Sequence, residues 1–228
     1  MNNKEIVFVS RWDVSKDHYP KPASAFLPEW YKNTESYRNN EKKAIDLGTN
    51  ATIKKCIPVF DALTSGYIIP TYTDIQVSEE NGLPYYNWAS HEAISFHSIE
   101  QAPIHPFKED APYPKWNSPW SIILPKGYSI FFMPPVHGGN EFFQVLEGVV
   151  DCDNYKEAVN FPFVLKDINF RGIIPAGTPM VQVIPFKREK WKMEIKDSKD
   201  YDFSDFFKLK SRFFDGYKSL FWNKKEYK

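Results

Sequence analysis

The sequence predicts a mainly β fold of sandwich, barrel or jelly-roll character, on three observations. Through the middle of the chain, short apolar runs of period-two character alternate with Pro and Gly turns about every ten residues, the pattern of many short strands. Aromatics are 17% of the 228 residues and Pro is 18 of them, against only 10 Gly, a balance of extended segments and rigid loops rather than a helical bundle or disorder. The one clear helical periodicity is confined to the C-terminal end. These features predict a β domain over residues 53–195, an N-terminal strand, short helix and loop over 1–52 that pack on it, and a C-terminal amphipathic helix over 196–228.

The elements follow in order. Ile6–Trp12 reads as a short strand, and Pro20-Lys21-Pro22 as an extended entry. Ser24 is placed to cap a short helix holding Phe26, Leu27, Trp30 and Tyr31. The polar stretch from Asn33 to Asn50 reads as a helix end and surface loop. A strand starts at Gly66 and continues through Thr71, Ile75 and Val77 to the Asn81-Gly82 turn, whose residues tolerate positive φ. Tyr85–Ala89 and Ala93–Ser98 follow as strands, Ala102 to Pro119 as a proline-rich excursion. Trp120–Leu124, Tyr128–Met133, Phe142–Val150, Ala158–Leu165 and Met180–Phe186 complete the β series.

At the C-terminal end, Asp202-Phe203-Ser204-Asp205 offers an N-cap with acids in the first turn. Phe206, Phe207, Phe213, Phe214, Tyr217, Leu220 and Phe221 then form one wide helical stripe, to be covered by the β domain or by another subunit. Lys187-Arg188-Glu189-Lys190 with Trp191 and Lys192 reads as a solvated basic edge. Trp116, Trp120 and Trp191 are either core residues or a stacking platform for single strands or sugars.

Composition narrows the function classes. Lys plus Arg equals Asp plus Glu at 29 each, which excludes the broad basic field of a dedicated nucleic-acid coat and gives no strong nucleic-acid signal. No apolar run is long enough for a membrane-spanning helix, and Ile6–Val9 is too short for a signal peptide's apolar region. Cys56 and Cys152 show no CxxC spacing, which predicts neither a disulfide framework nor a Cys-based zinc site and suits a reducing cytoplasm, that of a host cell if the chain is phage-encoded. No P-loop, dinucleotide fingerprint or nucleophile elbow is present. His91, His97 and His137 are the weak candidates for a cupin-type metal site.

Three segments carry a resemblance. Gly148-Val149-Val150-Asp151-Cys152-Asp153-Asn154-Tyr155, the alternating Ala158-Val159-Asn160-Phe161, and Gly177-Thr178-Pro179-Met180-Val181-Gln182-Val183-Ile184 resemble the third and fourth motifs of the dUTPase and dCTP deaminase superfamily. The resemblance implies a dUTPase-like β-clip or distorted jelly-roll, usually a trimer with sites between subunits. It implies Asp151 as the base that activates water against an α-phosphate, with Asp153 beside it, Tyr155 stacked under the sugar and Gln182 fixing the loops. Gly148 would let the hairpin approach a base closely. His137 and Asn140, in the stretch occupying the ground of the superfamily's phosphate motif, are the remaining ligand-binding candidates. Such a pocket needs the Asp151 loop and the Gly177 bend on neighbouring strands.

The departures from that pattern favour a role without catalysis. The stretch Pro134-Pro135-Val136-His137-Gly138-Gly139-Asn140 has neither the Arg nor the Ser that hold phosphates. Asn154 inserts one residue before Tyr155, Pro179 stands where the superfamily has an Arg, and the deaminases' Glu has no counterpart in 158–163. A triphosphate needs several fixed donors or a Mg²⁺ clamp. A second resemblance spans most of the chain: Pro20-Lys21-Pro22-Ala23, Leu27-Pro28-Glu29-Trp30-Tyr31, Gly127-Tyr128-Ser129 and Gly177-Thr178-Pro179 through Arg188-Glu189 look like an uncharacterised family of tailed phages and marine bacteria. The expected function is therefore a non-catalytic, oligomeric accessory or structural protein that self-associates and needs no cofactor. The alternatives are a diverged nucleotide-binding protein or pyrophosphatase, which alone would bring Mg²⁺, and a cupin-type oxygenase.

Overall fold

The structure is a computed structural model that describes residues 4–45, 48–89, 91–101, 113–210 and 214–228. The N-terminal segment holds β1 (Val7–Ser10), β2 (Lys21–Pro22), α1 (Glu29–Asn33), the pair β3 (Ala44–Ile45) and β4 (Gly48–Thr49), and α2 (Ile57–Thr64). Then come β5 (Tyr67–Pro70), β6 (Ile75–Glu80), β7 (Leu83–Trp88), β8 (Ile94–His97), β9 (Tyr113–Trp116), β10 (Trp120–Ile123) and β11 (Tyr128–Met133). They are followed by β12 (Phe143–Val145), β13 (Gly148–Val150), β14 (Phe161–Leu165), β15 (Gly172–Ile174) and β16 (Pro179–Lys187), and by helices α3 (Ser204–Lys210) and α4 (Gly216–Leu220). The protein is mainly β, as its alternating runs predict.

Every described pairing between strands is antiparallel. The central sheet has the order β13-β11-β16-β5-β2, and β12-β14-β9-β8 and β15-β6-β7 form two others. Their inner faces share one core that includes Ile69, Val77, Trp116, Ile130, Phe161, Phe163 and Val183. The high aromatic content is spent here: the Phe163 ring stacks on Trp116 at 4.7 Å and meets Phe143 at 5.5 Å. Trp116 and Trp120 are both buried, so neither serves as a stacking platform.

The N-terminal segment does more than pack on the β domain. Strand β1 pairs with β10 and β2 with β5, and the Phe8 ring lies 5.6 Å from Tyr67. Ser24 does not cap the first helix; it sits inside a 3₁₀ turn, Ala23–Phe26, and Pro28 is the N-cap of α1. The polar stretch before Asn50 contains the β3/β4 pair rather than only loop.

Two expected strands are broken by hydrogen bonds that no local pattern carries. The run from Gly66 to Val77 divides into β5 and β6, which belong to different sheets. Thr71 makes the corner: its N–H donates to Thr178 O at 2.9 Å, its hydroxyl to Pro175 O at 2.9 Å, and its carbonyl accepts from Gly177 N at 2.8 Å. The run from Phe142 to Val150 likewise divides into β12 and β13, where Leu146 N–H donates to Pro162 O at 2.8 Å. Strand β15 has no counterpart among the expected elements, and β9 corrects the end of the expected proline-rich excursion, where Tyr113–Trp116 is held as a strand between β14 and β8. Gly66 admits no substitute at the entry to β5, because its φ is +71° and a Cβ would lie 2.1 Å from Val183 O.

The single C-terminal helix is corrected to two short ones. Asp215, the N-cap of α4, has φ −137° and ψ 24° and interrupts the helical run. Asp202 does accept from Ser204 N–H at the start of α3, at 2.8 Å. Tyr217 and Leu220 are exposed; Phe213 and the side chains of Phe206 and Phe207 lie outside what is described. The segment is tied to α2 through Asp61, which accepts from Trp222 Nε1 at 3.0 Å and pairs with Lys225 Nζ at 2.6 Å. No helix among the described residues is long and apolar enough to cross a membrane.

Candidate functional site

Of the sequence-predicted site residues, all but Tyr155 gather at two opposite ends of β11. At its N-terminal end the Pro125-Lys126-Gly127 turn closes through Tyr128 N–H to Pro125 O at 3.2 Å. Gly127 N–H donates to Asp153 Oδ2 at 2.7 Å, and Ser129 Oγ donates to Asp151 Oδ1 at 2.6 Å. Arg188 leaves the end of β16 and grips the same spot. Its Nη1 lies 2.9 Å from Asp153 Oδ1, 3.1 Å from Asp151 Oδ1 and 3.0 Å from Ser129 Oγ, while its Nη2 takes the other Asp153 oxygen. The Asp153 side chain is only 2% exposed, and the hydrogen bond from Arg188, with that from Gly127 N–H, holds its pKa down to about 2.

A carboxylate so neutralised is a poor proton acceptor at neutral pH. Asp153 lies beside Asp151, as expected, and is held there by Arg188 and Gly127. Asp151 is more exposed, but its Oδ1 is held by Ser129 and Arg188. Its carbonyl accepts from Asn154 N–H at 3.0 Å and Tyr155 N–H at 2.9 Å, closing the turn that carries the chain away from β13. Burial and the two neighbouring aspartates push the Cys152 thiol up to about 11, so it stays protonated. Cys56 and Cys152 are both free.

Replacing Arg188 with Met tests this lock. Asp153 has a folded pKa below its unfolded 3.8, so its contribution is complete above about pH 4 and fades as pH falls toward 2. Urea melts should therefore show the variant less stable than the parent chain at neutral pH, with the gap narrowing between pH 4 and pH 2. A gap independent of pH would mean that Arg188 does not act through Asp153.

At the other end of β11, Met133 lies opposite Gln182. Gln182 is 1% exposed and fully used: Oε1 accepts from Val136 N–H at 3.0 Å, and Nε2 donates to Ala62 O at 3.0 Å and Ser65 O at 2.7 Å. It fastens α2 and the 134–140 loop to β16. Asn140 is likewise structural: Oδ1 accepts from Phe142 and Phe143 N–H, each at 2.9 Å, and Nδ2 donates to Pro179 O at 2.8 Å. His137, at φ +59°, accepts from Trp30 Nε1 through its carbonyl at 3.1 Å. His137 and Asn140 line a cleft of about 320 Å³ with Glu147 and Lys166.

Tyr155 belongs to neither group. It is 48% exposed and lines a separate cleft of about 450 Å³ with Arg11, Trp12, Asn117, Glu157 and Asn160. Of those five lining residues only Asn160 lies in a motif segment, and no local pattern links it to Arg11, Trp12 or Asn117.

Asp151 and Gly177 do not lie on neighbouring strands. Strands β13 and β16 flank β11 on opposite sides, and Asp151 sits level with the Ser129/Phe186 pair. From there to Gly177 is nine residues of β16 and its lead-in, on the order of 30 Å of strand. Within one chain the superfamily's pocket is therefore not assembled. Gly148 serves packing instead of a base: a Cβ there would lie 2.4 Å from the Phe132 ring. The histidines are also scattered in role. His91, at φ +44° and outside any strand, stacks on Trp12 at 4.9 Å, and His97 Nδ1 lies 3.1 Å from Gln101 Oε1, while His105 lies outside the described residues. Among the described residues no group of three or more His, Cys, Asp or Glu is arranged to hold a metal ion.

No protein-family model matches the chain, and no curated protein matches it.

Proposed function

We propose that the protein is a non-catalytic, self-associating accessory or structural protein, phage-derived as its punctuating residues suggest, on a diverged dUTPase-like β-clip. The observation that carries this reading is the Arg188 lock. At the position where the resembled superfamily keeps a water-activating carboxylate, this chain ties both acids to its own guanidinium. The separation of Asp151 from His137, Asn140 and Gln182 supports the same reading. No cofactor enters it, and the setting is a cytoplasm, of the host cell if the gene is a phage's. The superfamily's trimer is the form that resemblance implies for self-association.

A second reading, a nucleotide-binding protein, is favoured by one feature. The cleft at His137 and Asn140 also receives Lys166, whose Nζ donates to Asn140 O at 2.5 Å, and Gly138-Gly139 bends beside it. That cleft suits a phosphate-bearing ligand with Mg²⁺ better than the Asp151 end does. Thermal melts with a panel of deoxynucleotides and Mg²⁺ separate the two readings. The accessory-protein reading expects no shift. A ligand bound at a hundred times its Kd would add about 2.7 kcal/mol of stability, and such a shift would replace the first reading by the second.

A further inference from the structure

The chain after β16 is unusual in what it leaves in water. Trp191, Met193 and Ile195 are 87%, 84% and 85% exposed. They alternate with Lys190, Lys192, Glu194 and Lys196, the period-two pattern of a strand with one apolar and one charged face. Yet residues 189–196 form no helix or strand, and among the described residues none of them makes a backbone hydrogen bond. Held as a strand, the segment would place the Trp, the Met and the Ile on one face, a surface that needs a cover. Single exposed apolar residues are common, but three in register are not.

The segment's sequence fits itself. When two copies run antiparallel about Met193, Trp191 of one lies opposite Ile195 of the partner subunit, and the two Met193 residues meet on the two-fold axis. On the other face Lys192 lies opposite Glu194 of the partner subunit, twice. Opposite charges directly across strands are favourable, as are aromatic–aliphatic pairs. Shifting the centre to Lys192 or to Glu194 sets two like charges face to face on the axis. The like pairs in the Met193 register, Lys190 with Lys196 of the partner subunit and Glu189 with Asp197 of the partner subunit, lie at the solvated ends, where screening is strongest.

A two-stranded ribbon alone is marginal in water and needs an apolar surface beneath it. One lies beside its origin. Val149, Phe131 and Ile184 are aligned across β13, β11 and β16, with Val149 58% exposed, and Phe186 follows on β16 just before the arm begins.

We infer that residues 189–196 are an assembly arm, pairing antiparallel with the same arm of a second copy about Met193, with their Trp, Met and Ile faces turned onto the Val149–Phe131–Ile184 rows. The contact is isologous, so it makes a dimer, or joins two trimers where a three-fold contact also exists. It rests on the self-association reading and names the surface responsible.

Solution mass across a concentration series is the first measurement, on the full chain and on three variants. The unaltered chain should dimerise reversibly. Trp191→Glu combined with Met193→Glu should weaken association by at least about thirtyfold, the loss expected on removing a buried aromatic anchor. Lys192→Glu should weaken it, and adding Glu194→Lys should restore it. Cross-linking fixes the register: Met193→Cys should give a disulfide-linked dimer under mild oxidation. Trp191→Cys should not, because its partner lies four residues away, beyond the roughly 7 Å Cα limit for a disulfide. All of these residues are exposed, so the fold tolerates the changes. A chain that is monomeric throughout overturns both this inference and self-association. An oligomer unmoved by the variants, or cross-linked equally at both cysteines, overturns the arm and leaves self-association standing.

Discussion

Gln182→Leu is expected to lower the stability of the protein by about 2–4 kcal/mol, since each buried polar group left without a partner costs roughly 1–3 kcal/mol. The side chain is nearly the same size, so the cost is in hydrogen bonds rather than in volume. Three backbone groups lose their partner at once: Val136 N–H, Ala62 O and Ser65 O. They belong to the loop after β11 and to the end of α2, and the amide joins both to the middle of β16. Urea unfolding at neutral pH measures the loss directly. Gln182→Glu sharpens the test, because a carboxylate there faces two carbonyl oxygens. Its pKa in the folded state would be raised, so the variant should regain stability as pH falls from 7 toward 5. A leucine variant within about 0.5 kcal/mol of the parent chain would match an ordinary surface change and would show that these groups find water instead.

Phe163→Ala should be the most damaging single truncation in the core, at about 3–5 kcal/mol. The ring is fully buried and touches three others: Trp116 at 4.7 Å, Phe143 at 5.5 Å and Tyr86 at 5.8 Å. These come from β9, β12 and β7, so the ring joins two sheets. Alanine leaves a cavity walled by stiff aromatic rings that collapse poorly. Phe163→Leu keeps part of the volume and should cost less. Phe96→Ala is the control on the same side of the fold, because Phe96 is about half exposed and its loss should stay near 1 kcal/mol. Equal losses at the two positions would mean that burial is not what Phe163 contributes.

The class of fold was legible because alternation and punctuation are local. Tyr128–Met133 was read as a strand with the bounds it has, and the Asn81-Gly82 turn joins β6 to β7 as its residues require. The two expected strands that divide share one cause. At Thr71 and at Leu146 the chain changes sheets through hydrogen bonds with Thr178 and Pro162, which lie far along the sequence. The C-terminal stripe differs: its spacing is helical, but Asp215, the non-helical N-cap of α4, divides it.

The candidate site was legible residue by residue but not as an arrangement. Asp151, Asp153 and Gln182 were singled out by motif, and each is engaged in a specific network. Arg188, which decides what the two aspartates can do, was read as part of a solvated basic edge. Its partners lie 35 and 37 positions earlier, and only strand pairing brings them together. The alternation of Trp191, Met193 and Ile195 stood in the sequence, yet a buried edge strand and a free arm look identical there.

By itself the amino-acid sequence determined that this chain is mainly β, where most of its strands run and which apolar residues alternate, because side-chain period and turn chemistry act between neighbours. Tertiary structure alone decided that Asp151 and Gly177 sit at opposite ends of one sheet, that Arg188 neutralises Asp153, and that the arm after β16 is left uncovered. Those outcomes depend on strand order and register, which are set by contacts between residues distant in the chain, and no local pattern encodes them.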